Sequence, residues 1–209
     1  GLGSSAACVA AGMMAAHRLT GEKLSMKRIV ELATQMEGHP DNVVPALLGG
    51  FCICLSRGEE VLYRRFPLFE DLKFVVGIPE FHLNTQDARK ILPKTVDFKD
   101  AVFNLGCAAF LAAAVVTGDP RDLGIITQDR LHQPYRSSLV PGLDKILQTA
   151  TQKGALATFL SGAGPSVLCI AHPEDADTVG EHMVKVFERC GIISTYKVLS
   201  PCSQGVEFM

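Results

Sequence analysis

Hydrophobic and polar positions change their spacing within the first third of the chain. Apolar residues recur at helical intervals and then give way to two short apolar runs on either side of residues 57–60. Such a pattern predicts helices followed by a β-hairpin. We expect three helices and two strands, over residues 4–18, 24–36, 43–48, 51–56 and 61–66. Asp41 or Asn42 can cap the third helix, and Gly49-Gly50 can end it.

A new order of elements begins after a boundary near residues 67–71. The pattern then predicts a strand, several helices, two strands, a helix and a last strand, over residues 73–78, 98–117, 122–129, 143–153, 157–160, 166–171, 175–190 and 194–199. This is the split βαβ order of a ferredoxin-like domain. The predicted fold class is therefore α+β, with a first domain over residues 1–69 and a second over residues 70–209.

The composition is typical of a folded, globular protein and favours small molecules as its ligands. Of its 209 residues, 47% are hydrophobic and 20% are charged, and the mean hydropathy is +0.21, which is typical of a globular protein with a substantial core. A formal net charge of −2 gives no electrostatic basis for binding nucleic acid or an anionic membrane. The longest apolar run, residues 105–116, is too short and too rich in alanine for a membrane span. Seven cysteines without metal-ligand spacing indicate reduced thiols in a cytosolic protein, with Cys52 and Cys54 in a buried strand.

The first chemical motif is the start of the chain, Gly1-Leu2-Gly3-Ser4-Ser5-Ala6-Ala7. Glycines permit close backbone approaches, and the helix that follows offers unpaired N–H groups and the positive end of its dipole. The motif therefore suits the binding of phosphate groups. An ordinary turn capped by Ser4 or Ser5 explains the same residues, and the lack of a following Gly-Lys-Ser/Thr distinguishes the motif from the common P-loop.

A second motif, Glu37-Gly38-His39-Pro40-Asp41-Asn42, concentrates polar groups between two predicted helices. A carboxylate beside phosphates can hold Mg²⁺, which takes one or two protein oxygens together with phosphate oxygens and water. Glu37 with the hydroxyl of Ser4 or Ser5 would form such a site. The alternative is ordinary capping by Asp or Asn next to a solvated Glu37.

Three further segments offer groups for a small polar ligand. Thr85 and Arg89 are four residues apart and share a face if their segment is helical. Arg136 is a second candidate for clamping a carboxylate, because arginine can form two parallel hydrogen bonds to it. Gly162 lies in a turn between two apolar strands, where glycine indicates a tight turn or a close backbone approach. Each segment also has an ordinary structural explanation. The segment of Thr85 and Arg89 can be an exposed capped turn, that of Arg136 a surface turn, and that of Gly162 a plain hairpin.

Taken in order, the segments GLGSSAA, EGHPDN, NTQDAR, LHQPYR and LSGAGPS resemble the GHMP small-molecule kinases, and most specifically their homoserine kinase family. The resemblance spans nearly the whole chain. It implies a partial amino-terminal α/β domain and a ferredoxin-like carboxy-terminal domain. It also implies phosphorylation of the side-chain hydroxyl of L-homoserine by ATP with Mg²⁺, a step of threonine biosynthesis.

The resemblance further implies roles for particular residues. ATP would be bound by Gly1, Leu2, Gly3, Ser4 and Ser5. Mg²⁺ would be held by Ser4, Ser5 and Glu37. The amino-acid pocket would be lined by His39, Asn42, Thr85, Arg89, Arg136 and Gly162. Arg136 and Asn42 would act in catalysis, with Asn42 standing where some relatives have an Asp base, so Asn42 would orient the hydroxyl and Asp41 is the rival base.

The chain opens on the first glycine of its first motif and has no initiator Met. We therefore expect an amino-terminal region to be missing, together with the strands that would hold the nucleotide base. On that expectation the 209-residue chain alone binds ATP poorly and can be inactive. The resemblance implies a cytoplasmic enzyme, compatible with a homodimer, or a plastid enzyme if a transit peptide precedes the chain. Two rivals remain open: another GHMP kinase with a carboxylate-bearing substrate, and a non-catalytic binding module.

Overall fold

The computed structural model describes residues 1–21 and 23–208, and the side chains of Thr85 and Gln86 lie outside its described part. The chain divides into two compact units. The amino-terminal unit consists of Gly3–Leu68 together with the tail that begins at Cys202, and the carboxy-terminal unit consists of Phe69–Pro201 with Gly1–Leu2. The main division falls inside the segment where a boundary is predicted, whereas the sequence assigned the tail to the second domain.

Three helices and a hairpin form the amino-terminal unit. They are α1 Ser4–Thr20, α2 Met26–Glu37, α3 Pro40–Leu48, β1 Phe51–Arg57 and β2 Glu60–Phe66. The strands are antiparallel and pair Cys54 with Tyr63. The core is made of small and branched side chains that are at most 3% exposed, among them Ala6, Ile29, Val44 and Val61. Cys54 is only half-buried, so the strand that carries it is less covered than the sequence predicts.

The start of α3 differs from the prediction. Neither Asp41 nor Asn42 caps the helix, because the helix begins at Pro40 with His39 in the N-cap position. Proline suits the first helical turn, where its missing N–H is not needed for a helical hydrogen bond. Asp41 and Asn42 therefore lie inside the first turn and are available for other contacts.

The tail packs against the end of α3. The N–H of Gly50 donates to the carbonyl of Cys202 at 2.8 Å. Gly205 passes so close to the helix that a Cβ on it would stand 2.1 Å from the carbonyl oxygen of Leu47. The tail thus supplies a backbone partner and packing to the unit that begins the chain, a contact that no pattern in the sequence indicates.

An antiparallel sheet with helices on both faces forms the carboxy-terminal unit. Its elements are β3 Lys73–Pro79, α4 Thr85–Lys90, α5 Phe98–Thr117, α6 Leu123–Ile126, α7 Gln133–Arg136, α8 Leu143–Thr149, β4 Ala155–Leu160, β5 Val167–Ala171, α9 Ala176–Arg189 and β6 Ser194–Leu199. Two 3₁₀ turns, Ser137–Leu139 and Ala150–Lys153, follow α7 and α8. The strands lie in the order β4-β5-β3-β6. This is the ferredoxin-like arrangement, so the predicted fold class is confirmed.

Alternate residues of β5 face two layers of helices. Val167 and Cys169 belong to the core formed with α8 and α9, whereas Leu168 and Ile170 contact the core formed with α5 and α6. The alternation is the period of two that a strand imposes on its side chains. Because both faces are covered, β5 has no polar side.

Helix α5 is apolar along nearly its whole length and partly uncovered. Its charged residues are Lys99 and Asp100, while Leu105 and Phe110 are 70% and 60% exposed. Among the described helices it alone is long and apolar enough to cross a membrane, with a mean hydropathy of 1.7 and 17% of that window buried. The helix is longer than the apolar run of residues 105–116, because it also includes residues 98–104 with Lys99, Asp100 and Asn104. A single such helix is weak evidence for a membrane protein, since core helices of soluble proteins meet the same criterion.

Candidate active site

The predicted phosphate loop leads into the first turn of α1. Gly3 stands at the N-cap with φ of 67° and ψ of 31°, a left-handed conformation that glycine adopts without the strain of a Cβ. Ser4 and Ser5 are the first helical residues, and no side chain caps the helix, so the capping role considered for them is wrong. The first N–H groups of α1 therefore receive no side-chain cap, at the end where the helix dipole favours an anion.

Ser5 and Glu37 are brought together from two helices. The Ser5 hydroxyl donates a hydrogen bond of 2.6 Å to Oε1 of Glu37, so two oxygens of the kind that Mg²⁺ prefers lie side by side. Within residues 1–21 and 23–208, no three His, Cys, Asp or Glu side chains cluster closely enough to hold a metal ion. A cation bound here would therefore take its remaining ligands from phosphate and water. Ser4, the other serine of the predicted metal site, is exposed and outside this pair.

The turn before α3 places Asp41 and Asn42 in different surroundings. Nδ1 of His39 contacts Oδ1 of Asp41, whose side chain is 71% exposed. The Asn42 side chain lies against the glycine loop instead, with Oδ1 3.5 Å from the position that a Cβ on Gly3 would take. Asn42 is therefore the residue of the two that lies beside the predicted phosphate loop.

Arg136, the last residue of α7, is held by backbone carbonyls. It is 9% exposed. Its Nε donates to the carbonyl of Ala88 at 3.0 Å, and its Nη1 donates to the carbonyl of Gly162 at 3.1 Å and lies 3.3 Å from Nδ1 of His132. No described residue accepts a hydrogen bond from Nη2, which leaves that nitrogen for a ligand. The predicted role of Arg136 as a carboxylate clamp stays a prediction, and in this structure Nε and Nη1 already donate to the protein.

The positive charges of Arg136 and Arg89 lie close enough to influence each other. Burial lowers the pKa of Arg136 from its ordinary value, and the neighbouring cation Arg89 lowers it further. In the part of the chain that the structure describes, neither guanidinium is in an ion pair. Thr85 begins the same short helix as Arg89, and its side chain lies outside the described part. An anion is the ligand that two such cations stabilise.

The turn from Ser161 to Ser166 joins β4 to β5 and binds two other segments. The N–H of Ser161 donates to the carbonyl of Ser166 at 2.9 Å, as in a hairpin. The Ser161 hydroxyl also donates to the carbonyl of Gly1 at 2.6 Å, and the carbonyl of Gly162 accepts the bond from Arg136. The plain hairpin is therefore an incomplete description, because this turn contacts both Gly1 and Arg136.

Sequence analysis missed two residues that organise this region. Oδ2 of Asp129 accepts the N–H groups of His132 and Gln133 at 2.7 and 2.6 Å, and its Oδ1 accepts Nδ2 of Asn104 at 2.7 Å. Oε1 of Gln133 accepts the N–H of Leu160 at 2.6 Å. A signal for Asp129 exists in the sequence, because Asp shortly before a proline-containing helical turn is typical of a helix start. Gln133 lies in the segment LHQPYR, but nothing in that segment indicates its bond to Leu160.

The ionisation of Asp129 and His132 follows from their surroundings. Burial alone would raise the pKa of Asp129, but hydrogen bonds from Gln133, His132 and Asn104 outweigh it and leave that pKa below its ordinary value. Burial lowers the pKa of His132, and the charge of Arg136 also lowers it, against the opposing charge of Asp129. A neutral His132 can accept the hydrogen bond from Arg136 at Nδ1.

Matches to protein families define the class of the chain. Residues 1–50 match the family described as GHMP kinases N terminal domain. Residues 110–189 match the family described as GHMP kinases C terminal. The two matches cover the glycine loop and much of the ferredoxin-like unit, in the order that the sequence resemblance implies.

Individual relatives narrow this class. A homoserine kinase from Caldicellulosiruptor bescii is 51% identical over 170 residues, which are 81% of this chain and 55% of that protein. A homoserine kinase from Aquifex aeolicus is 40% identical over 208 residues, which are 99% of this chain and 70% of that protein. The crystal structure of homoserine kinase from Cytophaga hutchinsonii matches with a TM-score of 0.90 and 34% identity, over 97% of this chain and 66% of that one. The chain belongs to the homoserine kinase family of the GHMP kinases.

The family predicted from the sequence is therefore confirmed, while the roles of individual residues stay predictions. The chain spans 55% of the length of the Caldicellulosiruptor relative and 70% of the Aquifex relative. These relatives come from bacteria, and they give the plastid alternative no support.

Proposed function

We propose that this chain carries the phosphate-, metal- and carboxylate-binding residues of a kinase that uses ATP to phosphorylate the side-chain hydroxyl of L-homoserine. The product would be O-phospho-L-homoserine, on the route to threonine. The names of relatives at 51% and 40% identity support this substrate. The observation that carries the proposal is the surroundings of Arg136: it is buried, the charge of Arg89 lowers its pKa against the opposing charge of Asp129, and no described carboxylate forms an ion pair with either arginine. Such a pair of cations suits the carboxylate of an amino acid.

The glycine loop would bind the phosphates of ATP. Gly1, Leu2 and Gly3 lead into the uncapped start of α1, and helix N-termini bind phosphate through their N–H groups. Ser5 and Glu37 would hold Mg²⁺, with Ser4 as the alternative hydroxyl. The fit is supported by the hydrogen bond that sets the two oxygens 2.6 Å apart. When bound, the cation neutralises charge on the phosphates.

The substrate would be held at its carboxylate. Nη2 of Arg136 and the guanidinium of Arg89 would bind that group, which compensates two positive charges that repel each other in the free protein. The rest of the amino-acid pocket would be lined by His39, Asn42, Thr85 and Gly162.

Asn42 would orient the attacking hydroxyl rather than remove its proton. A side-chain amide forms hydrogen bonds but is not a base, and phosphoryl transfer through a loose transition state needs positioning and charge stabilisation more than strong base catalysis. The proton would leave by way of phosphate or water. Asp41 is the rival base. Its contact with His39 and its 71% exposed side chain favour Asn42.

Homoserine-dependent release of ADP by the whole protein tests the proposed activity. We expect turnover with L-homoserine and far slower turnover with mevalonate or galactose. Arg136→Lys keeps the charge but loses the planar fork, so the KM for homoserine should rise by about 10- to 100-fold, as expected when a hydrogen bond to a charged group is lost. Arg189→Lys, on the exposed end of α9, should match the unaltered protein.

Two outcomes would reassign the function. Faster turnover of mevalonate or galactose than of homoserine would indicate another GHMP kinase. Homoserine binding without any turnover would indicate a non-catalytic binding module.

The proposal includes a cytoplasmic enzyme with small molecules as its partners, without nucleic acid or membrane. Flotation with liposomes tests whether the protein binds membranes. The apolar, partly exposed helix α5 is the feature that argues for such binding. A homodimer is compatible with the proposal, and light scattering of the whole protein measures the assembly.

A further inference from the structure

We propose that Asp129 is the positioning residue for Arg136: its carboxylate fixes the start of α7 so that the guanidinium at the end of α7 is held ready for the substrate carboxylate. The inference rests on the proposed homoserine kinase activity and deepens it. No sequence motif named Asp129 as part of the site.

The length of α7 makes its start decisive for its end. The helix has four residues, Gln133–Arg136, which is about one turn. Oδ2 of Asp129 accepts the N–H groups of His132 and Gln133 at 2.7 and 2.6 Å, immediately at the beginning of that turn. Because the helix is a single turn, a displacement of Gln133 at its start also displaces Arg136 at its end.

Asp129 is itself attached to the long helix α5 through Asn104. Nδ2 of Asn104 donates to Oδ1 of Asp129 at 2.7 Å, and Oδ1 of Asn104 accepts the N–H of Arg130 at 2.9 Å. The Arg130 guanidinium lies 3.7 Å from the centroid of the Phe103 ring and 3.2 Å from Asp100. Both ends of one amide thus fix consecutive residues to a helix of 20 residues.

The other side of α7 is attached to the end of β4 and the turn after it. Oε1 of Gln133 accepts the N–H of Leu160 at 2.6 Å, and Nη1 of Arg136 donates to the carbonyl of Gly162 at 3.1 Å. Gln133 is 6% exposed and Arg136 is 9% exposed; the bond of Gln133 to Leu160 is buried, and that of Arg136 to Gly162 is partly buried. The first and last residues of α7 therefore hold neighbouring positions of the segment that carries Gly162.

A direct role for Asp129 in binding substrate fits the structure less well. Its two oxygens already accept three hydrogen bonds from described residues. A carboxylate would also repel a substrate carboxylate or a phosphate. Nε2 of His132 lies 3.8 Å from Oδ1 of Asp129, and no ion pair among the described residues joins Asp129 to Arg136. Its chemistry therefore suits orientation of the protein.

Two substitutions at Asp129 separate positioning from general stability. Asp129→Ala removes all three hydrogen bonds, and we expect the KM for homoserine to rise by about 10- to 100-fold while the KM for ATP changes less than about threefold, since small displacements of a binding group have effects of this size. Asp129→Asn retains an oxygen that can accept both N–H groups of α7. Its amide nitrogen would face Nδ2 of Asn104 and lose that one bond, so the KM for homoserine should rise far less than in Asp129→Ala, by about threefold or less.

The chain offers a matched control in Asp119. Its Oδ1 also accepts a backbone N–H two residues later, that of Arg121 at 3.1 Å, but it is not bonded to α7. Asp119→Ala should leave both KM values unchanged. If Asp129→Ala does not fold, Asn104→Ala removes one bond of the same set and should raise the KM for homoserine in the same direction.

An NMR measurement keeps this inference separate from the proposed activity. The ¹⁵Nε–¹H signal of Arg136 reports its hydrogen bond to Ala88. It should shift or broaden in Asp129→Ala, and remain in place in Asp129→Asn and Asp119→Ala. Absence of homoserine turnover in the unaltered protein would overturn the activity and leave this signal test standing. An unmoved Arg136 signal in Asp129→Ala, or equal losses for homoserine and ATP, would overturn the role of Asp129.

Discussion

The hydroxyl of Ser5 donates to the carboxylate of Glu37 at 2.6 Å, although 32 positions separate the two residues in sequence. The bond connects the first turn of α1 to the last residue of α2. It places a negative charge beside the end of α1 that favours anions, which is a useful arrangement only if a cation accompanies the anion.

Removal of the Glu37 charge should weaken the response to Mg²⁺. In Glu37→Gln the neutral amide is a poorer ligand for a hard cation, so we expect the Mg²⁺ concentration for half-maximal homoserine phosphorylation to rise by about tenfold or more. Titration of the initial rate with Mg²⁺ at saturating ATP measures this. Glu31→Gln is the control, because Glu31 lies on the same helix and is paired with Lys27 and Arg28. Equal Mg²⁺ curves for the two variants would remove Glu37 from the metal site.

Substitutions at Asn42 and Asp41 should affect the transfer step unequally. Asn42→Ala removes the amide beside Gly3, and we expect the rate in a single turnover to fall by about 100-fold, the size of effect of one positioned hydrogen-bonding group. Asp41→Asn should change the rate by less than about threefold. Rapid-quench measurements with bound homoserine provide the rates. A loss confined to Asp41→Asn, with binding and fold intact, would identify Asp41 as the base.

Protonation of His132 should destabilise the folded protein. Its pKa in the folded state is lower than the ordinary value of 6.5, mainly because of burial and also because of Arg136. The unfolded state therefore binds a proton more readily, so stability is lost as the pH falls below 6.5 and is unaffected well above it.

Urea unfolding between about pH 8 and about pH 5 measures this loss. The decline should be smaller in His132→Gln. His182, whose pKa is also lowered by burial and by surrounding lysine and arginine side chains, contributes in the same direction and accounts for part of what remains. An identical decline in the variant and the unaltered protein would show that His132 is not responsible.

A side chain at Gly205 should loosen the tail. In Gly205→Ala the new Cβ would stand 2.1 Å from the carbonyl oxygen of Leu47, so the tail or α3 must move, at a cost of about 1–3 kcal/mol. Hydrogen exchange of the amides of α3 reports the change locally. Gly12→Ala in α1 is the matched control, because nothing lies within 4 Å of its Cβ position, and it should stabilise α1 by about 0.5–1 kcal/mol. Unaltered protection of α3 in Gly205→Ala would contradict the packing of the tail.

The periodic parts of the fold could be predicted from the sequence. Predicted and observed bounds coincide for α5, Phe98–Thr117, and for β6, Ser194–Leu199, because hydrophobic spacing reports the burial of one face over many residues. The ends of helices and strands depend on single contacts and could be predicted less well. The helix predicted over residues 122–129 covers only Leu123–Ile126, and the carboxylate of Asp129 instead accepts N–H groups at the start of the next turn.

The candidate site could be predicted only where residue type identifies the chemistry. Residue chemistry named Glu37 with Ser4 or Ser5, and the oxygens of Ser5 and Glu37 are adjacent, although their role with Mg²⁺ stays a prediction. The environment of Arg136 could not be predicted, because its partners are the main-chain carbonyls of Ala88 and Gly162. Every residue has such a carbonyl, so only the tertiary fold decides which of them it meets.

The tail also sets an order of events during synthesis. The ribosome synthesises a chain from its amino end, so residues 202–208 emerge after every helix and strand described above. The amino-terminal unit, although made first, therefore completes its contacts with Gly50 and Leu47 last. Until then the N–H of Gly50 lacks the carbonyl of Cys202, and the end of α3 lacks the backbone of Gly205 that covers Leu47.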